Sequence, residues 1–214
     1  PLFFFFFYYS QGEARVKLGL AQESFVFLML GVIRPYKGID EAIRALAQVV
    51  EEGADCILII AGNVLDNNYL QRLRFLAAEL GVEPHIQWNL GYVPSGQIGI
   101  YHAAADVLLF PYRDISQSGA FLTAAGLGKC TLSTPVGGIA EIVQDGETGI
   151  QVVSSDPGEL ASGLRKCLSA SREIREKMGK NLQDYVLRYY SWDAIAKQTI
   201  KVYERVLDIQ EDLD

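Results

Sequence analysis

Phe25-Val26-Phe27-Leu28-Met29-Leu30-Gly31-Val32-Ile33-Arg34-Pro35-Tyr36-Lys37-Gly38 is the stretch that decides the fold of this chain. Its first six residues are apolar without alternation, which predicts a strand buried on both faces, as in a parallel sheet covered by helices. Gly31 ends that strand, and a turn carrying Arg34 and Lys37 follows. Ile39, Ala42, Ile43, Leu46 and Val50 then recur at helical spacing, so a helix begins directly behind the turn.

The same unit repeats on the carboxyl-terminal side. Residues 56–61 (CILIIA), 86–88, 107–110, 131–133 and 149–152 are further short runs of strand type bounded by turn residues. Leu70, Leu73, Leu76, Ala77 and Leu80 mark a second helix, with Gly81 placed as its stop. Strands alternating with helices imply right-handed crossovers and the α/β class, with a doubly wound parallel sheet. From Pro157 onward the strand signals cease, and 160–168, 174–189 and 192–207 read as three successive helices. Ser191 is the expected cap of the last, with Asp193 in its first turn.

The chain has 214 residues, half of them apolar and 21% charged, which suits one globular domain. A formal charge of −7 repels a phosphate backbone and removes nucleic acid from the first rank of partners. Cys56, Cys130 and Cys167 are odd in number and unclustered, the pattern of free buried thiols in a reducing compartment. His85 and His102 are the two histidines, and no Cys or His pair stands at ligand spacing, so no metal site is expected. The run from Phe3 to Phe7 is too short to span a bilayer and follows no basic residue. Such a sticky segment packs on this domain, packs on a partner, or is a cloning remnant.

Ligands of doubly wound sheets bind beyond the carboxyl ends of the strands, where strand order reverses. Three loops at that end carry suitable chemistry. Arg34 and Lys37 can grip a phosphate, one as a fork and one as a point charge, although a solvated basic turn explains the loop equally well in isolation. Residues 111–119 (PYRDISQSG) lead into a helix whose first amides, on Gly119 and Ala120, form an anion site, with hydroxyls on Ser116 and Ser118. Taken alone, a helix capped by its own serine is as good a reading. Residues 88–94 (WNLGYVP) form a glycine turn in which Tyr92 or Val93 can pack on a base. Together the three loops point to the diphosphate of a nucleotide-linked ligand. A dinucleotide-binding enzyme is the rival, but no Gly-x-Gly-x-x-Gly follows any expected strand, and no Walker A motif occurs.

At this point residues 25–207 resemble the carboxyl-terminal, donor-binding half of GT-B glycosyltransferases, within the large retaining family 4 (glycosyl transferases group 1). Gly31 to Gly38 resembles the family's Gly-x5-Lys-Gly loop, which implies that Arg34 and Lys37 clamp the donor diphosphate. Ala61-Gly62-Asn63 is similar to its strand-ending glycine turn, Gly91-Tyr92-Val93-Pro94 to its base-binding turn, and Ala105-Asp106 with Pro111 to a further block. Thr134 to Glu141 (TPVGGIAE), followed by Asp145-Gly146-Glu147-Thr148-Gly149, resembles another signature, with Glu141 a weak candidate near the donor.

The family's Glu-x7-Glu pair falls at Ile115 and Thr123, neither acidic. The resemblance then leaves Thr123 to bond a ribose hydroxyl beside Gly62, Tyr92 and Val93, and Asp114, Ser116 or Gln117 to approach the sugar. It implies three segments: 1–24 as an amino-terminal segment or linker, 25–207 as a Rossmann-like nucleotide-sugar-binding domain, and 208–214 as an acidic tail. It further implies no cofactor, a UDP-, GDP- or ADP-sugar as substrate, an acceptor domain supplied from outside this chain, and a cytoplasmic role in polysaccharide biosynthesis. Peripheral membrane association of the full-length protein is compatible with it. No nucleophile is assigned. The alternative is a non-catalytic nucleotide-sugar-binding or assembly domain, suggested by the two absent glutamates.

Overall fold

Six parallel strands make one sheet: β1 (Phe25–Leu30), β2 (Cys56–Gly62), β3 (Ile86–Leu90), β4 (Val107–Phe110), β5 (Thr131–Ser133) and β6 (Ile150–Gln151). The computed structural model describes residues 9–211, with side chains as far as residue 207. The Phe3 to Phe7 run and residues 212–214 of the acidic tail lie outside that range. Strand order across the sheet is β3-β2-β1-β4-β5-β6. It reverses between β1 and β4, which pair through Phe27 with Val107 and Leu28 with Leu108. A doubly wound sheet opens its ligand crevice at that reversal.

The unalternating run of β1 is explained by the two layers that enclose it. Phe27 and Met29 face one core cluster with Leu58, Ile60 and Leu109. Helices α2 (Ile39–Glu51), α3 (Asn67–Glu79) and α7 (Pro157–Ser169) cover this face through Ile43, Leu46, Leu73 and Leu164. Val26 and Leu28 face the other cluster with Ile59, Leu108 and Phe110. There α4 (Ser95–Ala104), α5 (Gly119–Gly126) and α8 (Arg172–Tyr190) contribute Tyr101, Phe121 and Leu182. With both faces dry, every strand position is selected for apolar bulk.

Two helices were not foreseen in the sequence. The first, α1 (Gln11–Leu18), opens with a reciprocal capping box between Ser10 and Glu13. Ala14 packs on Ala103 and Ala104, and Arg15, 5% exposed, bonds Asp106 at 2.7 Å and the Ala104 carbonyl at 3.2 Å. Residues 10–18 thus pack on the sheet-and-helix body. The second, α6 (Gly137–Ile142), is the short element behind the double glycine. The closing helix α9 (Trp192–Glu211) follows a Ser191 whose oxygen accepts from the Ala194 N–H at 3.2 Å. No helix among the described residues is long and apolar enough to cross a membrane.

Candidate functional site

The carboxyl ends of β1, β2 and β4 are pressed together by backbone contacts. Gly62 ends β2 at φ 144°, and a Cβ there would lie 1.9 Å from the Gly31 carbonyl oxygen. Gly38, at φ 67°, lies so close to the β4 loop that a Cβ would meet the Pro111 carbonyl oxygen at 2.0 Å. Both positions need positive φ and a missing side chain, so only glycine fits. The Gly91 N–H donates to the Gly62 carbonyl at 2.9 Å, which joins the β3 turn to the same rim.

Across the reversal, the β1 loop and the β4 loop are fastened to each other. The Arg113 N–H donates to the Tyr36 carbonyl at 2.8 Å, and the Tyr36 and Tyr112 rings meet edge to face at 5.8 Å. The Arg113 guanidinium donates to the Pro35 carbonyl at 3.0 Å, to Asp40 at 2.6 Å and to Glu41. Tyr69 donates its hydroxyl to the other Asp40 oxygen at 3.0 Å. Thr134, just beyond β5, donates to the Tyr112 carbonyl at 2.5 Å. Arg113 and Tyr112 thus form the frame of the site, and their partners lie too far away in sequence to have been inferred from it.

Lys37 sits inside this frame. It is 8% exposed, its Nζ rests against Gly31 and lies 5.8 Å from the centre of the Tyr112 ring. Among the described residues it has no carboxylate partner, and burial lowers its ammonium to about 8. Arg34, by contrast, is exposed at the cap position of the 3-10 turn Pro35–Lys37. The two cations grouped in the sequence therefore occupy different depths, with Lys37 buried and Arg34 exposed at the surface.

The Ser118 side chain neighbours the Tyr112 hydroxyl, so the start of α5 adjoins the ring that Lys37 faces. Burial pushes the Tyr112 hydroxyl up to about 12, so it stays protonated. Ser118 is buried and its Oγ accepts from the Phe121 N–H at 3.1 Å, as a helix cap does. That leaves the Gly119 and Ala120 amides in the first turn, and the space where a Gly119 Cβ would stand is open. Thr123 donates its hydroxyl to the Gly119 carbonyl at 2.8 Å and keeps acceptor capacity. Asp114, Ser116 and Gln117 are exposed along the same loop, and the Ser116 carbonyl accepts from the Gly138 N–H at 2.9 Å. Gln117 lies against Gly138, so the β5 turn backs this loop. Ile115, at the first position of the missing acidic pair, packs on the apolar cluster beneath α5.

The β3 turn is the least integrated part of the rim. Tyr92 is 79% exposed, and Val93 packs partly on the core. Glu141 is exposed on α6. The histidines lie elsewhere: His85 Nδ1 is 3.0 Å from the Cys56 carbonyl, and His102 Nδ1 is 2.9 Å from that of Ile98. Burial lowers His102 to about 4, which makes it a neutral packing residue. A cleft of about 220 Å³ lies at the opposite, amino-terminal rim of the sheet. What distinguishes the carboxyl-terminal rim is its array of donors, not an enclosed volume.

A parallel sheet of order 3-2-1-4-5-6 with hydrogen-bond donors gathered at its reversal defines the doubly wound class that takes nucleotides at this rim. Within it, the chain belongs to the glycosyl transferases group 1 family, whose model matches residues 10–185. The D-inositol 3-phosphate glycosyltransferase of Corynebacterium glutamicum is 30% identical over 194 residues, which cover 89% of this chain and 46% of that protein. The crystal structure of Anabaena HepE in complex with UDP and glucose superposes with TM-score 0.79 at 22% identity, over 91% of this chain and 52% of that one. The carboxyl-terminal domain of the group 1 glycosyltransferase LpcC from Francisella tularensis matches with TM-score 0.75 at 20% identity, over 89% and 97% of the two chains. The chain spans about half the length of the curated relatives it matches.

Proposed function

We propose that this chain is the donor-binding, carboxyl-terminal half of a retaining GT-B glycosyltransferase of family 4. The whole protein moves a sugar from a nucleotide diphosphate sugar to a hydroxyl acceptor held by a second, amino-terminal domain. The observation that carries this reading is Lys37, a buried ammonium without a carboxylate partner among the described residues, which faces Tyr112 at the strand reversal, on the same rim as the first-turn amides of Gly119 and Ala120. A diphosphate supplies the missing negative charge. Charge on that leaving group grows as the glycosidic bond breaks, so donors fixed in advance lower the barrier as well as the ground state. Arg34, at the edge, adds a second cation, while Tyr92, Val93, Gly62 and Thr123 offer a place for base and ribose. The UDP and glucose bound in the HepE structure support a nucleotide-sugar ligand, and the LpcC domain supports assignment to a carboxyl-terminal half. Three buried free thiols support a reducing, cytoplasmic setting.

A second reading rests on Ile115 and Thr123. One is packed in the core and the other bonded to its own helix, so neither brings a carboxylate toward the sugar. That favours a domain that binds nucleotide sugar without turning it over. Titration of the chain with UDP-, GDP- and ADP-sugars, set beside turnover by the full-length protein, separates the two. Lys37→Ala and Arg34→Ala should each weaken binding by roughly 1.5–3 kcal/mol, the worth of a charge-assisted hydrogen bond. Unchanged affinity in both variants would remove this assignment.

A further inference from the structure

The cleft at the amino-terminal rim is not used by the proposed donor site. It lies where the turns before β4 and β5 meet the start of α8, and its charged lining is Asp106, Lys129, Arg172, Arg175 and Glu176. Both carboxylates are already paired. Asp106 Oδ2 accepts from Arg15 at 2.7 Å and from the Val26 N–H at 2.8 Å, while Oδ1 lies 3.6 Å from the Arg175 guanidinium. Glu176 accepts from Arg172 Nε at 2.7 Å.

Lys129 differs. Its Nζ donates to one carbonyl, that of Ala105 at 2.9 Å, and among the described residues it has no ion-pair partner. Burial lowers this ammonium to about 8. Among the side chains that line the cleft, cations outnumber carboxylates by three to two, in a chain whose net charge is −7. The amino-terminal end of α8, a 19-residue helix, adds its dipole in the same sense. The walls are firm: the α5–β5 turn is so close to α8 that a Cβ on Gly179 would stand 2.1 Å from the Gly128 carbonyl oxygen, and Gln183 donates to the Gly126 carbonyl at 2.8 Å.

We propose that this cleft binds a phosphate group, either inorganic phosphate or a compact phosphomonoester, through Lys129, Arg172 and Arg175. Guanidinium forks with a point ammonium are the donor set such an oxyanion takes. At about 220 Å³ the space falls below the ~300–1,000 Å³ typical of larger ligands, which suits a phosphate group better than a nucleotide sugar.

The test is calorimetric titration of the full chain with sodium phosphate and, separately, glycerol 3-phosphate, at ionic strength fixed with sodium chloride. Saturable binding is expected in the unaltered chain and in Lys37→Met, which lies at the other rim. At least about tenfold weaker binding is expected in Lys129→Met and Arg172→Gln. The Arg172 side chain is 67% exposed, so its variant keeps the fold even if loss of Lys129 disturbs it. Tighter binding of glycerol 3-phosphate than of phosphate identifies an ester as the ligand, and the reverse identifies the free ion. Equal phosphate affinity in Arg172→Gln and the unaltered chain, loss of binding in Lys37→Met, or no saturable binding would each overturn the proposal.

Discussion

The two rims of the sheet use the same pair of residue types for different ends. At the carboxyl-terminal rim Arg113 is committed to Asp40 and Glu41, while Lys37 has no acidic partner among the described residues. At the amino-terminal rim Arg15 is committed to Asp106, while Lys129 has no such partner among the described residues. The paired arginines hold turns together, whereas the two lysines, without an ion-pair partner among the described residues, leave the positive charge on which both proposed ligand sites rest. The rims differ in what surrounds the lysine. Lys37 stands against the Gly31 turn and the Tyr112 ring, whereas Lys129 lines an open cleft of about 220 Å³ with the side chains of Arg172, Arg175 and Glu176.

The largest effect expected from breaking this comparison is at Arg15. Arg15→Ala leaves Asp106, a largely buried carboxylate, without its closest cation, and should cost about 3–5 kcal/mol in urea unfolding. A loss under about 1 kcal/mol would mean that α1 is not fastened to the body by this pair. Next is Gly62→Ala, which forces a Cβ into the Gly31 carbonyl and should destabilise by about 1–3 kcal/mol. UDP affinity should fall with it, because the β1 turn carrying Lys37 must shift. Wild-type stability in that variant would refute the close approach of the two turns.

A pH series sharpens the contrast between the lysines. The free Lys37 ammonium is charged below about 8 and neutral above it, and a diphosphate favours the charged form. Affinity for UDP should therefore hold at lower pH and decline as pH rises through about 8, approaching about tenfold per unit beyond it. Lys37→Arg keeps its charge and should flatten that decline, whereas Lys129→Met should leave it in place. The smallest effect belongs to Arg113→Gln. Its bonds are partly solvated, so unfolding should change by about 1 kcal/mol or less, while the loosened loop weakens UDP binding several-fold.

How much of this was legible in the sequence follows from what each signal depends on. Continuous apolar runs and helical spacing depend on local pattern, so the strand order along the chain and the covering helices were readable, strand ends to within two residues and helix ends to within four. Helix α1 was not, because QGEARVKL has no apolar stripe: it is buried through Ala14 against two alanines and through Arg15 against an aspartate 91 positions away. The loops of the candidate site stand out by composition, but the different depths of Arg34 and Lys37 arise from the turn at Gly38 and its contact with Pro111. Arg113 lies in the PYRDISQSG loop, but nothing local marks its role, since Asp40 and Glu41 meet it only after folding.

The measurement closest to the central claim is a crystal structure of the chain soaked with UDP. The account predicts diphosphate oxygens within hydrogen-bond distance of Lys37 Nζ and of the Gly119 and Ala120 amides, at the reversal between β1 and β4. Diphosphate density in the Lys129 cleft instead, or UDP held at the β3 turn with its phosphates pointing away from Lys37, would contradict it.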